Sequence, residues 1–318
     1  KSSQDAIELR RGLIKSYNLD HTAMNWSDTK IGSELILKFY CEYTKKNPKE
    51  VRQMRTERTS IDLKDCIPSF IKFKTKEFSD LLELFNRTTL YSHNNFKFEV
   101  KSEVQVKKKK NKKKDKITVN YKGLDYEYGV GGLHCSKTGV FESNDEWVIY
   151  DIDVASLYPS LGIINNYYPQ HLGKDFMEIY RDKIVNVRLA EKAKGKKLAN
   201  KAIVLGLKNA ANSVYGNSRC NHSFLLDPLY TYSTTCAGQL ELTMLAEEIQ
   251  EEIPNANLLY GNTDGLTILL HKDTILKFQE ICKNWEKLTG LLLEGYIKRD
   301  NDNEVIYKKL FIRDVNNY

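Results

Sequence analysis

The stretch Glu146-Trp-Val-Ile-Tyr-Asp-Ile-Asp-Val-Ala-Ser-Leu-Tyr-Pro-Ser160 constrains this chain more than any other. Residues 147–154 are apolar and partly β-branched, bounded by the polar run Glu142 to Glu146, and predict a short buried strand. Two-residue alternation puts Trp147, Ile149, Asp151 and Asp153 on one face of it. A carboxylate ending an apolar strand is costly to bury unless a cation or a donor meets it; solvation of the strand end is the plainer reading. Pro159 cannot donate to a sheet ladder, so a turn is expected over Ser156 to Ser160.

Two further stretches bear on that choice. Lys208-Asn-Ala-Ala-Asn-Ser-Val-Tyr-Gly216 falls on a predicted helix, and Leu258 to Leu270 reads as a hairpin whose turn carries Asp264. In this order the three stretches resemble motifs A, B and C of family B (α-like) DNA-directed DNA polymerases. Those read D-x-x-S-L-Y-P-S, K-x-x-x-N-S-x-Y-G and Y-G-D-T-D-S. The first two match at every fixed position, and the third departs at Asn262 and Gly265. Gly129-Val-Gly-Gly-Leu-His134 and the Asn-Thr-Asp-Gly form of the third motif have the flavour of the phage and viral branch.

The resemblance implies an α+β fold: a right-hand polymerase palm, an antiparallel sheet backed by helices, with a helical-hairpin fingers subdomain. On that reading residues 1–94 join an exonuclease to the palm, and 95–135 form a β-hairpin with a basic loop and a Gly-rich segment. Residues 136–175 carry palm and motif A, 176–216 the fingers and motif B, and 217–318 palm and motif C. The family's exonuclease carboxylates are not found here, and a thumb is expected outside the chain. Lys208 follows Asp153 by 55 positions (208 − 153), which leaves no room for the insertion of protein-primed members.

The implied reaction is template-directed addition of deoxynucleotides to a primer 3′ end. Such chemistry rests on positioning and charge neutralisation by two divalent ions. By resemblance, Asp153, Asp264 and the carbonyl of Val154 hold two Mg²⁺ ions, with Mn²⁺ as a substitute. Ser156, Leu157, Tyr158, Arg188, Lys192, Lys208, Asn212 and Tyr215 are assigned to the nucleotide. Tyr158 would lie under the sugar, where a ring clashes with a 2′-hydroxyl. Gly131, Gly132, Tyr260 and Thr263 are assigned to DNA. Asn262 lowers local charge beside Asp264, Gly265 is expected to loosen the turn, and Asp151 is read as supporting. The implied partners are primer-template DNA, deoxynucleoside triphosphates and replication accessory proteins, with no membrane. The implied location is cytoplasmic, in the host cytoplasm if the source is a phage. The rivals are a catalytically incompetent nucleic-acid-binding fragment and an RNA-directed or RNA-making palm enzyme.

Composition sets limits on these readings. With 318 residues, 41% of them hydrophobic, the chain can bury a sizeable core. No apolar run approaches a membrane span, and six scattered cysteines suggest neither a zinc site nor a disulfide framework. The chain opens on Lys1 without a signal peptide, so a longer natural protein is expected. Of the net charge of +7, all resides in Lys107 to Lys116, where eight lysines meet one aspartate. Phe96 to Val106 and Ile117 to Tyr128 both alternate, which predicts a hairpin with this run at its tip. Lys107, Lys108, Lys109 and Lys110 then either contact phosphates or form a solvated loop. The glycines after Tyr128 fit a plain turn or a close approach to another backbone.

Helices are predicted over Gln4 to Ser16, from Ser27 or Asp28 through Tyr43, and from a Thr75 cap through Phe85. An antiparallel pair is predicted over Phe176 to Gly195 and Leu198 to Tyr215, its second helix seamed by Ile203, Leu207, Ala210 and Val214. Arg181, Arg188 and Lys192 would share a stripe, as would Lys201, Lys208, Asn212 and Tyr215. Gly238 to Ile253 and Thr274 to Leu288 are further predicted helices, with strands at Leu291 to Lys298 and Val305 to Ile312.

Overall fold

The computed structural model describes residues 3–97, 116–296, 306–307 and 309–312. Helix α1 (Ser3–Tyr17) precedes α2 (Asp28–Thr44), where the Ser27 hydroxyl oxygen accepts the Lys30 amide at 3.2 Å. A single turn α3 (Pro48–Val51) leads to β1 (Ser60–Asp62), α4 (Lys76–Asn86) and β2 (Thr89–Tyr91). Strands β3 (Ile117–Tyr121), β4 (Leu124–Gly129), β5 (Gly132–Ser136), β6 (Gly139–Glu142) and β7 (Trp147–Val154) follow. Next come α5 (Leu157–Ile164), α6 (Gly173–Ile179), a π-helical stretch Tyr180–Val185, α7 (Asn186–Ala193), α8 (Gly195–Leu198), α9 (Lys201–Asn217) and α10 (Pro228–Glu252). The hairpin β8 (Asn257–Asn262) and β9 (Gly265–His271) is followed by α11 (Ile275–Thr289), β10 (Leu293–Glu294), β11 (Ile306–Tyr307) and β12 (Lys309–Ile312).

These elements form two compact units, Lys1–Arg58 with Gly162–Thr231, and Thr59–Leu161 with Tyr232–Tyr318. The expected first segment, 1–94, is thus shared between them. In the first unit α9 buries Ala202, Gly206, Leu207, Ala210, Ala211, Ser213 and Val214, while Lys201, Lys208 and Asn212 stay exposed. Its neighbour α2 approaches so closely that a Cβ on Gly32 would lie 2.4 Å from the Asn209 carbonyl oxygen. The Tyr180 hydroxyl donates to the Ala211 carbonyl at 2.8 Å, tying the π-helical stretch to α9. That stretch interrupts the helix predicted over 176–195 and rephases its faces. Arg181 ends exposed and paired with Asp182 at 2.9 Å, whereas Arg188 is half-buried, so the predicted stripe is broken.

The second unit is an antiparallel sheet backed by helices. Its strand order is β10-β7-β9-β8-β5-β4-β3, with β11 also on β7. Aromatic side chains bind it to the helices: Phe78 of α4 meets Tyr121 and Tyr126, and Phe278 of α11 meets Tyr150 at 5.0 Å between rings. Helix α10 contributes polar contacts. The Gln239 amide donates to the Gly129 carbonyl at 2.9 Å and its oxygen accepts the Gly129 amide at 3.1 Å. The Gln250 amide donates to the Tyr126 hydroxyl at 2.7 Å.

Several expectations are corrected. The run Ile117 to Tyr128 is two strands, β3 and β4, paired around Lys122 and Gly123, both at positive φ (49° and 75°). Most of its expected partner and the lysine run through Lys107, Lys108, Lys109 and Lys110 lie outside the described residues. Thr75 gives α4 no side-chain cap; its amide and hydroxyl donate to Glu247 at 2.8 and 2.6 Å instead. Helix α10 begins at Pro228 rather than Gly238, because Asp227 accepts the Leu229 amide at 3.1 Å and proline suits a first turn. Pro159 likewise sits in the first turn of α5, so a helix replaces the turn expected over 156–160. Of the described part, 291–296, of the strand expected over 291–298, only Leu293–Glu294 is extended, as β10; the rest lies outside the described residues.

Candidate active site

Residues opposite each other in antiparallel strands present side chains to one face. The register carries one such row across the sheet. Glu294 pairs Asp153, Asp153 pairs Gly265, Gly265 pairs Asn262, Asn262 pairs His134 and His134 pairs Glu127. Carboxylates, an amide and an imidazole therefore line one edge of the sheet on a single face. Asp151 lies two residues from Asp153 on that face, opposite Thr267, whose hydroxyl donates to its carboxylate at 2.6 Å.

Asp264 occupies the tight turn between β8 and β9. The Val154 amide donates to the Asp264 carbonyl at 2.7 Å, which fixes the turn against the end of β7. The Asp264 amide donates in turn to the Asn262 carbonyl. Thr263 adopts a left-handed φ of 42°, and its amide donates to the Leu133 carbonyl at 2.8 Å. The Thr263 side chain fills the place of a Cβ on Gly132, which would lie 2.9 Å from Thr263 Oγ1. The glycine turn and the Asp264 turn are thus packed together.

Burial pushes the Asp153 carboxyl up to about 6, and the charges of Asp151, Asp264 and Glu294 push it the same way. Asp264 is also raised, by burial first and then by Asp151, against a lowering backbone hydrogen bond. Asp153 nevertheless remains exposed. It is a carboxylate among carboxylates, open to solvent. His134 is held below the ordinary imidazole value by burial first and by Lys116, while its hydrogen bond with Asn262 acts in the opposite direction.

The other expected site residues fall into different places. The Tyr158 hydroxyl donates to the Gly131 carbonyl at 3.3 Å, and Gly131 is exposed. Ser156 sits at the entrance to α5 with φ 53°. Leu157 is 4% exposed, and its side chain packs where a Cβ on Gly238 of α10 would be, which leaves its backbone as the part open to other contacts. Tyr260 is also 4% exposed, clustered with Ile149 and Leu259. In the first unit, Lys192, Lys208 and Asn212 are exposed, Arg188 and Tyr215 half-buried.

Glu294 escaped sequence reasoning because nothing near it signals chemistry; only its pairing with Asp153 reveals it. His134 was passed over likewise, as one residue after a glycine turn. The charge of Asp151, read from the sequence as supporting, raises both Asp153 and Asp264.

Among the described residues, no three or more His, Cys, Asp or Glu side chains form a group that could hold a metal by themselves. Mg²⁺ commonly takes only one or two carboxylates and fills its shell with waters and substrate oxygens, so a carboxylate pair suits its chemistry. No helix among the described residues is long and apolar enough to cross a membrane. No known protein-family model matches the chain, and no curated protein resembles it at a significant level.

Proposed function

We propose that this chain is the palm-and-fingers portion of a template-directed DNA polymerase of the family B type. The observation that carries the reading is Asp153 at a strand end with Asp264 in the adjacent hairpin turn, joined through the Val154 amide, where Asp151, Asp264 and Glu294 bring negative charge to Asp153. The row of polar register mates supports it, since one sheet face then offers carboxylates beside hydrogen-bonding side chains.

In this proposal a primer 3′-hydroxyl attacks the α-phosphate of a deoxynucleoside triphosphate and pyrophosphate leaves. Two Mg²⁺ ions, when bound, would activate the attacking hydroxyl and neutralise charge on the leaving oxygens. Asp153 and Asp264, with the Val154 carbonyl, are the oxygen donors suited to hold them, and Mn²⁺ would substitute. Asp151 and Glu294 add negative charge that favours cation binding. Lys208 and Lys192 act as mobile point charges for the triphosphate, and Arg188 as a fork. Tyr158, its hydroxyl held by the Gly131 carbonyl, offers its ring to the sugar. The exposed Gly131 and the Thr263 turn are the DNA-facing candidates that remain.

Primer extension by the purified chain, with Mg²⁺ and a primer-template duplex, tests this. Incorporation dependent on template sequence is expected. A folded chain that binds the duplex but incorporates nothing with Mg²⁺ or Mn²⁺ would establish the binding-fragment alternative instead.

A further inference from the structure

Directly opposed residues on one face of an antiparallel pair normally set their Cβ atoms about 4.5–5.5 Å apart. Asp153 of β7 and Gly265 of β9 are such a pair. A Cβ built on Gly265 would lie 2.0 Å from Asp153 Oδ1 and 3.1 Å from its Cγ, with the Ile152 carbonyl oxygen 2.8 Å away. The Asp153 carboxylate therefore lies in the space that any side chain at 265 would occupy. Its lean has a direction. Asp153 stands between β10, where Glu294 is its register mate, and β9, and the carboxylate crosses toward β9. It moves away from Glu294 and toward the hairpin whose turn holds Asp264. Gly265 has ordinary negative-φ backbone, so the turn's conformation does not demand glycine there. The sequence-based expectation that glycine loosens the turn is replaced by a steric one.

We infer that Gly265 is a positioning residue for Asp153: its missing side chain opens the notch that brings the Asp153 carboxylate toward Asp264. Filling the notch drives the carboxylate back toward Glu294, parts the two acids and weakens their joint grip on a divalent cation. The inference rests on the polymerase reading for the purpose of that cation, while the steric relation is independent of it. Outer residues that orient metal ligands typically change metal affinity 10–100-fold when altered.

The test uses the whole chain and Mn²⁺ as the probe, with free and bound ion distinguished by electron paramagnetic resonance. Gly265→Ala should weaken Mn²⁺ binding at least about tenfold. In an Asp153→Ala background the same change should add no further loss, because the residue it acts through is gone. Melting in EDTA supplies a second readout: Gly265→Ala should lower the melting temperature, and Asp153→Ala should restore most of it. Wild-type Mn²⁺ affinity in Gly265→Ala, or a wild-type chain that binds no Mn²⁺, overturns the inference. So does a Gly265→Ala variant that Asp153→Ala fails to rescue, since the Ile152 carbonyl would then be the true obstruction. Primer extension separates the two ideas. A wild-type chain without incorporation, but with this Mn²⁺ pattern, discards the polymerase reading and keeps the positioning role.

Discussion

Two of the raised carboxyl groups in the second unit, Asp153 and Glu241, are raised for different reasons. Asp153, on the polar row, is pushed up to about 6 by burial and by three neighbouring carboxylates, yet stays exposed. Glu241, inside α10, is pushed up to about 8 by burial; it is 1% exposed, and among the described residues neither carboxylate oxygen has a hydrogen-bond partner. The first is charge gathered where a cation can reach it. The second is a neutral acid sealed in a core, with nothing to compensate ionisation. A raised carboxyl points to a functional site only when geometry supplies access and partners; of these two, Asp153 has both and Glu241 neither.

The largest expected difference between them is catalytic. Asp153→Asn or Asp264→Asn should cut nucleotide incorporation by at least ~10²–10³-fold, the cost of removing one preorganised electrostatic stabiliser, with the fold and duplex binding kept. Glu241→Gln should stay within about twofold of wild type on the same assay. Equal losses in all three variants would erase the distinction drawn here.

Stability provides the next separation, and the sign is opposite to that of a salt-bridged acid. The unfolded Glu241 releases its proton near 4.5, whereas the folded one keeps it up to about 8. Folding stability falls as pH rises between those values and levels off above them. Glu241→Gln should therefore stabilise the chain at pH 8.5 by roughly 4 kcal/mol, and by little at pH 4.5. Urea unfolding at both pH values measures it; a destabilised variant at pH 8.5 would mean that the carboxylate has a partner.

How far the sequence reveals such contrasts depends on the range of the contacts involved. The strand to Asp153, the hairpin around Asp264 and the buried seam of α9 are legible because their signals are local: alternation, a tight turn and helical spacing. Glu294 is not legible, because its approach to Asp153 depends on β10 pairing with β7 across the whole of α11. Tyr260 shares a face with Asn262, as alternation implies, and stands opposite Thr267; its burial in the cluster with Ile149 and Leu259 comes from packing that alternation does not report. The π-helical stretch after Ile179 similarly breaks a stripe that 3.6-residue counting drew through Arg181, Arg188 and Lys192. Gly265 looked like a relaxed turn position, and only the close approach of Asp153 shows what its small size permits.

Ligand binding sharpens the comparison at smaller energies. Mg²⁺ at ten times its dissociation constant should stabilise the wild-type fold by about 1.4 kcal/mol, because only the folded state brings Asp153 and Asp264 together. Glu241→Gln should keep that gain, and Asp153→Asn or Asp264→Asn should lose most of it. Melting curves with and without EDTA report the difference. A gain that survives Asp153→Asn would move the ion away from this row.

The smallest effect expected is on Asp153 without metal. Its carboxyl titrates near 3.8 when unfolded and at about 6 in the fold, so ionisation disfavours folding progressively between those values and fully above them. Replacing it with asparagine removes the like-charge repulsion from Asp151, Asp264 and Glu294. The variant should therefore be more stable than wild type in EDTA at pH 7.5, and equal to it near pH 3.8. Because Asp153 is exposed, solvent screens much of the repulsion, and the gain should be on the order of 1 kcal/mol. The same substitution then helps the metal-free fold and abolishes the proposed reaction, as expected for charge assembled for binding rather than for stability. Glu241→Gln should show the first effect without the second. Denaturant unfolding of Asp153→Asn in EDTA across this range decides the matter: a variant less stable than wild type at pH 7.5 would mean that a donor or cation of the chain already satisfies Asp153.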